Sequence, residues 1–191
     1  MCLLKFSLNT GSIRVKFEKT HRKNSCVNSG RLFFSCSLNA SFDNIFPNRI
    51  FFKQIPHERI LVKENDTVVG QVGIDYRAMN LGGRLVDVVG IIDLCVASKY
   101  QGNRMGSKLL ETVEAQFRGR ADFILLFADE HKVYLNNGFK LSNNKVTWSG
   151  IDEGKTIGVI SKNMGDCLMY KPIKQGATWT EDDLDMMGYL Y

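Results

Sequence analysis

Between Arg59 and Val96, apolar runs bounded by polar and glycine-containing turns give the clearest pattern in the chain, and that stretch sets the frame for the rest. Arg59–Lys63 reads as a strand, Glu64–Asp66 as its turn, and Thr67–Met79 as the returning strand. Asn80-Leu81-Gly82-Gly83 forms a second hairpin turn, because its glycines are free to take positive φ. Arg84–Val96 is a long third strand, and from Val88 to Val96 it is apolar except for Asp93. Together these segments predict an antiparallel meander.

The period then changes. From Met105 the apolar positions are Leu109, Leu110, Val113 and Phe117, with Lys108, Glu111, Glu114 and Arg118 on the opposite face. That spacing predicts an amphipathic helix, closed by Gly119. Ala121–Ala128 is almost continuously apolar after Asp122, as a strand buried on both faces is, and such strands are usually parallel. Strand, helix and buried strand make a right-handed βαβ unit. A short helix follows at Glu130–Asn136 and a strand at Gly138–Leu141, with weaker strand candidates at Val146–Trp148, Ile157–Ile160 and Cys167–Tyr170. Residues 175–191 read as a tail. Before the meander, the pattern suggests a helix at Ser12–Lys23, a short strand at Arg31–Leu38 and a turn at Ser41–Pro47 with Phe42 and Phe46 as anchors.

Composition narrows the class. The chain has 191 residues, 44% of them apolar and 24% charged, the balance of a soluble globular domain large enough for a full core. No apolar run approaches a membrane span, and the first residues have the wrong charge order for a signal peptide. The five cysteines are odd in number and scattered, which argues for free thiols in a reducing, cytoplasmic setting. The three histidines have no ligand spacing, so no metal is expected. Of the +5 net charge, the excess sits in residues 1–40, where seven cations face Glu18 alone. No aromatic or glycine pattern interleaves them, so a nucleic-acid partner is not expected.

The join between the third strand and the helix carries the chemistry. Gly102, Asn103, Arg104, Met105, Gly106 and Ser107 lie where free backbone N–H groups precede a first helical turn. Unpaired donors and the positive end of the helix dipole point the same way there, which suits a pyrophosphate.

These residues carry a resemblance. LCVASKYQGNRMGSKLL resembles the acetyl-CoA-binding motif of the GNAT superfamily of N-acyltransferases, Gln/Arg-x-x-Gly-x-Gly/Ala at the mouth of the central helix. Gln101 and Gly106 match it, and Arg104 stands where its first glycine is expected. VYLNNGF, Val133 to Phe139, resembles the family's Phe-Tyr-x-x-x-Gly-Phe signature one buried strand downstream. The likeness covers roughly residues 57–142. It implies an α/β (α+β) GNAT fold: a mixed central sheet with an antiparallel N-terminal meander, a βαβ acyl-CoA-binding unit and helices on both faces. The acyltransferase domain would be 41–191, preceded by a basic segment at 1–40 of uncertain structure. The tail, ATWTEDDLDMMGYLY, is similar to the ending of aminoglycoside 2′-N-acetyltransferases and, more loosely, of the rhizobial nodulation N-acyltransferases.

The resemblance implies direct transfer of an acetyl group from acetyl-CoA, as cosubstrate, to a primary amine. Within a cofactor-binding stretch from Gln101 to Ser107, the backbone N–H groups of Asn103 to Ser107 would hold the pyrophosphate, with Arg104 either adding a cation or lying on the surface. The pantetheine arm would run along Leu94, Cys95 and Val96, where a backbone N–H polarises the thioester carbonyl. Cys95 itself reads as a packed side chain. Tyr134 occupies the position of the family's general acid toward the leaving thiolate.

The attacking amine must be neutral, and Asp93 is the candidate base. It reads equally well as a structural carboxylate paired with Arg77 or Arg84. Asp75, Tyr76, Trp179 and Asp183 are candidate acceptor contacts, favouring a cationic small-molecule or peptide amine. Trp179 reads equally as a core anchor. A longer acyl donor, a non-catalytic acyl-CoA-binding domain and a homodimer all stay open.

Overall fold

The computed structural model describes residues 7–10, 13–21, 56–65, 67–152 and 154–191. The expected strand at Arg31–Leu38 and turn at Ser41–Pro47 lie outside them. The described elements are β1 (Ser7–Thr10), β2 (Ile13–His21), β3 (Glu58–Glu64), β4 (Thr67–Leu81), β5 (Arg84–Val96), a 3₁₀ turn (Ser98–Tyr100), α1 (Met105–Phe117), β6 (Phe123–Phe127), α2 (Lys132–Leu135), β7 (Lys140–Leu141), β8 (Lys145–Asp152), β9 (Lys155–Asn163), β10 (Leu168–Pro172) and β11 (Leu184–Tyr189). The chain divides into two compact units, residues 1–74 with 92–109, and residues 75–91 with 110–191.

In the first unit, β1, β2, β3 and the opening of β4 form an antiparallel ladder, with Thr10 opposite Ile13, Phe17 opposite Val62 and Ile60 opposite Val72. β2 corrects the helix expected at Ser12–Lys23. Ile13, Val15 and Phe17 alternate with Arg14, Lys16 and Glu18, which is the period of a strand. Ile60, Val62, Val72 and Ile74 are buried, and so are Leu61 and Gln71 between them, so both faces of β3 and β4 are covered here. The end of β5 runs beside β4, where Gly70 comes close to the Cys95 carbonyl. Cys95 is disulfide-bonded, which corrects the expectation that the cysteines are free thiols and removes that support for a reducing compartment. Cys167 is a free thiol.

The second unit packs around Met79, Val88, Phe123, Leu125, Val146, Leu168, Leu184 and Met186. The Asn80–Gly83 turn forms as expected. Gly82 and Gly83 have φ of 57° and 85°, and the Asn80 side chain accepts the Gly83 N–H at 2.8 Å. β6 pairs parallel with β5, Val88 opposite Phe123 and Gly90 opposite Leu125. β10 pairs antiparallel with both β6 and β7, and β8 with β9. The tail is not loose. Its β11 runs parallel to β8 and antiparallel to the end of β4, with Leu184 opposite both Val146 and Leu81. The sheet pairing is therefore mixed, as the resemblance implied. No helix of the described residues is long and apolar enough to cross a membrane.

Candidate functional site

The strand-to-helix join in the first unit is built by local bonds. The Ala97 N–H donates to the Val69 carbonyl at 2.9 Å, fixing the end of β5 against β4. The Tyr100 ring is buried and its hydroxyl donates to the Glu64 carboxylate, pinning the 3₁₀ turn to β3. The Gln101 side-chain amide turns back to donate to the Val96 carbonyl at 3.0 Å. Beyond it, Gly102 and Arg104 take the left-handed conformation, with φ of 78° and 56°.

Arg104 thus adopts the backbone that a glycine would adopt without strain, at a cost of about 1 kcal/mol. The loop keeps its geometry despite the departure from the motif. Gln101 to Arg104 are exposed, while Met105 is buried and anchors the first turn of α1. The Lys108 N–H to Arg104 carbonyl bond, at 3.0 Å, opens the intrahelical ladder, so Met105 and Gly106 present N–H groups ahead of it. No acidic residue occupies that turn, and the dipole is left to favour an anion. These donors suit a diphosphate, which would meet exposed backbone, a left-handed glycine with open space at its α-carbon, and one arginine.

Three residues before the end of β5, Asp93 interrupts the strand with φ of 51°. Its Oδ2 is buried and accepts no hydrogen bond among the described residues. Burial pushes the carboxyl up to about 6, against the opposing pull of the Arg59 guanidinium. Arg59 on β3 donates from Nη1 to the Gln71 side-chain oxygen on β4 at 2.8 Å, and both residues are buried. Sequence reading missed Arg59 and Gln71. Their signal was the placing of polar side chains within otherwise apolar strands. The two arginines suggested as structural partners are engaged elsewhere: Arg77 pairs with Asp75, and Arg84 donates to the Thr178 carbonyl at 2.6 Å.

In the second unit Tyr134 lies on α2, half-buried, and its ring meets Phe139 edge-to-face at 5.8 Å. Burial raises its phenol above the ordinary tyrosine range, favouring the protonated form that a proton donor needs. Asp75 is fully buried, and Arg77 in turn bonds the Tyr189 carbonyl at 3.0 Å and stacks on the Tyr189 and Tyr191 rings. The Tyr76 hydroxyl donates to the Arg120 carbonyl at 3.0 Å, and its ring stacks on Phe117.

Trp179 stacks on Tyr170 at 4.5 Å and meets Phe123 edge-on, and its indole N–H reaches Ser142 Oγ at 2.8 Å and Asn144 Oδ1 at 3.1 Å. These contacts pack Trp179, partly buried, against the core of the second unit. Asp183 is exposed, and its carbonyl accepts the Gly82 N–H at 2.9 Å. Among the described residues no group of three His, Cys, Asp or Glu side chains could hold a metal ion.

Comparison with known proteins bears on the whole arrangement. The chain resembles a GNAT family N-acetyltransferase (YhbS) from Escherichia coli in complex with CoA, at 13% identity and a TM-score of 0.59, over 93% of this chain and 92% of that one. A putative N-acetyltransferase from Lactobacillus plantarum matches at 14% identity and a TM-score of 0.57, over 83% and 98%. A GNAT family acetyltransferase from Brucella melitensis in complex with acetyl-CoA matches at 18% and 0.50, over 66% and 82%.

Other matched chains are longer, and this one spans only 22% to 34% of them. At such identities the likeness is one of fold. No curated protein sequence matches the chain. The family model described as an acetyltransferase (GNAT) domain matches residues 40–142, more than half of the chain. That span holds β3 to β6 and α1, with the strand end and helix mouth described above, and the chain belongs to the GNAT acetyltransferase family.

Proposed function

We propose that this protein is an N-acetyltransferase that moves an acetyl group from acetyl-CoA directly to a primary amine of a cationic acceptor. The observation that carries the reading is the join from Val96 to Met105: a strand end, two left-handed residues, and a helix mouth free of acidic side chains. Acetyl-CoA, when bound, supplies the thioester carbonyl as electrophile. Backbone N–H groups from Asn103 to Ser107 would hold its diphosphate, with Arg104 beside them. Leu94, Cys95 and Val96 would hold the pantetheine arm, and an N–H near Cys95 or Val96 would stabilise developing negative charge on the carbonyl oxygen.

Asp93 would take one proton from the amine as the new C–N bond forms. A base titrating near 6 is mostly ionised at neutral pH and still well matched to the task. Tyr134 would return a proton to the departing thiolate, so charge is balanced across the turnover. The exposed acids Glu181, Asp183 and Asp185 support a cationic acceptor, and the tail's similarity to aminoglycoside 2′-N-acetyltransferases points the same way.

The test is release of free CoA thiol from acetyl-CoA against a panel of aminoglycosides, polyamines and lysine-containing peptides. Amine-dependent, saturable thiol release supports the reading. Acetyl-CoA binding with no thiol release for any amine would mean a non-catalytic acyl-CoA-binding domain, and release only from longer acyl-CoA donors would replace the acetyl assignment.

A further inference from the structure

We propose that Lys171 is a positioning residue for Tyr134, holding the one-turn helix that carries the phenol by a clamp between that helix's C-terminal end and α1. The proposal rests on the catalytic role given to Tyr134 above. A helix of four residues cannot hold its own orientation, because nucleation costs more than so few bonds return. Something outside must fix it.

Lys171 projects from β10, where it sits opposite Ile124 of β6, a rigid inner strand of the second unit. Its ammonium donates to the Asn137 carbonyl at 2.7 Å and to Glu114 Oε2 on α1 at 2.6 Å. Asn137 donates its own N–H to the Tyr134 carbonyl at 2.9 Å, and Phe139 donates to the same carbonyl at 3.1 Å. The cation is thus one residue removed from the backbone of Tyr134. It also lies 5.9 Å from the centroid of the Phe139 ring, the ring against which Tyr134 packs.

The stem of Lys171 matters too. Gly138 has φ of 81°, and a β-carbon there would lie 3.4 Å from Lys171 Cε, an ordinary contact that places the lysine stem alongside the turn after α2. At the far side of the clamp, burial works against the charge of Glu114, but the bonds from Lys171 and Arg118 outweigh it and hold the carboxyl below its ordinary range. The other end of α2 is held separately, by the His131 ring at 2.9 Å from the Asp166 carbonyl.

The experiment places 3-fluorotyrosine at position 134 and reads its fluorine NMR line in the full chain, alongside steady-state kinetics with acetyl-CoA. In Lys171→Met the line shifts or broadens, whereas in Lys171→Arg, which keeps a cation, it stays near that of the parent. Lys171→Met lowers kcat about tenfold with KM for acetyl-CoA changed less than about twofold, and in a Tyr134→Phe background the same substitution changes kcat less than about twofold. Glu114→Gln, which removes the far anchor and leaves the lysine, moves the line in the same direction and serves should Lys171→Met not fold.

An unchanged fluorine line in either folded variant overturns the proposal, as does an equal loss of kcat with and without the phenol. Parental turnover in Tyr134→Phe instead overturns the catalytic role of Tyr134. The fluorine line then still decides whether Lys171 holds the ring.

Discussion

Asp93 ties stability to pH in an unusual direction. Its carboxyl titrates near 6 in the folded chain, against an ordinary value of 3.8. Between those values the folded state holds a proton that the unfolded state has released, so stability falls as pH rises through the window. Above it, the buried charge costs on the order of 2–3 kcal/mol. Asp93→Asn removes that charge and tolerates the left-handed backbone. The variant should gain stability over the parent by about 1–3 kcal/mol near pH 7.5 and by little near pH 4. Urea unfolding at both pH values checks this, and a gain independent of pH contradicts it. The same substitution should cut turnover at least about tenfold, and in the parent the rate should rise with pH through about 6 before levelling.

Two further residues give separable outcomes. Tyr134→Phe should lower turnover about tenfold or more while leaving acetyl-CoA affinity nearly intact, because the phenol acts on the leaving group and not on the diphosphate. Equal turnover would remove it from the mechanism. Arg104→Gly relieves left-handed strain, partly offset by the greater freedom of glycine when unfolded, for a net gain of about 0.5 kcal/mol. If the guanidinium also meets phosphate, acyl-CoA affinity should fall in the same variant. Thermal melts and titration separate the two effects.

At the scale of elements, the readable parts were those with one uninterrupted period. Apolar runs bounded by turns placed β4 and β5 within two residues, and the four-and-three spacing placed α1 from Met105 to Phe117. The Gly82-Gly83 turn was readable because only glycine takes two successive positive φ values cheaply. β2 was misread because charged residues fill its polar positions and resemble a solvated helix face, although its apolar residues recur every second place. β11 escaped for a related reason. Leu184 and Met186 are buried, but they alternate with Asp185 and Met187 over so few residues that acidity dominates the pattern.

Of the candidate site, the helix mouth and Asp93 could be read from the sequence. The Lys171 clamp could not, because it joins residues 57 and 34 positions apart. Trp179 belongs to this scale as well. Trp179→Phe should cost about 1–2 kcal/mol, since Asn144 and Ser142 are buried and lose its indole N–H. Trp179→Ala should cost about 3–5 kcal/mol. Unchanged unfolding temperatures would instead favour a side chain held only for an acceptor.

For the whole molecule, one architecture accounts for both the packing and the proposed chemistry. The end of β5 leads through the left-handed Gly102 and Arg104 into the mouth of α1, whose first N–H groups precede the intrahelical ladder. A ligand gripped there should stabilise the entire fold, by about 2.7 kcal/mol at a concentration one hundred times its dissociation constant. Calorimetric titration of acetyl-CoA into the intact, folded chain tests this most directly. The account predicts saturable uptake of one acetyl-CoA per chain, with a dissociation constant on the order of micromolar and an affinity weakened by raised salt. A folded protein that takes up neither acetyl-CoA nor any longer acyl-CoA at millimolar concentration would contradict it.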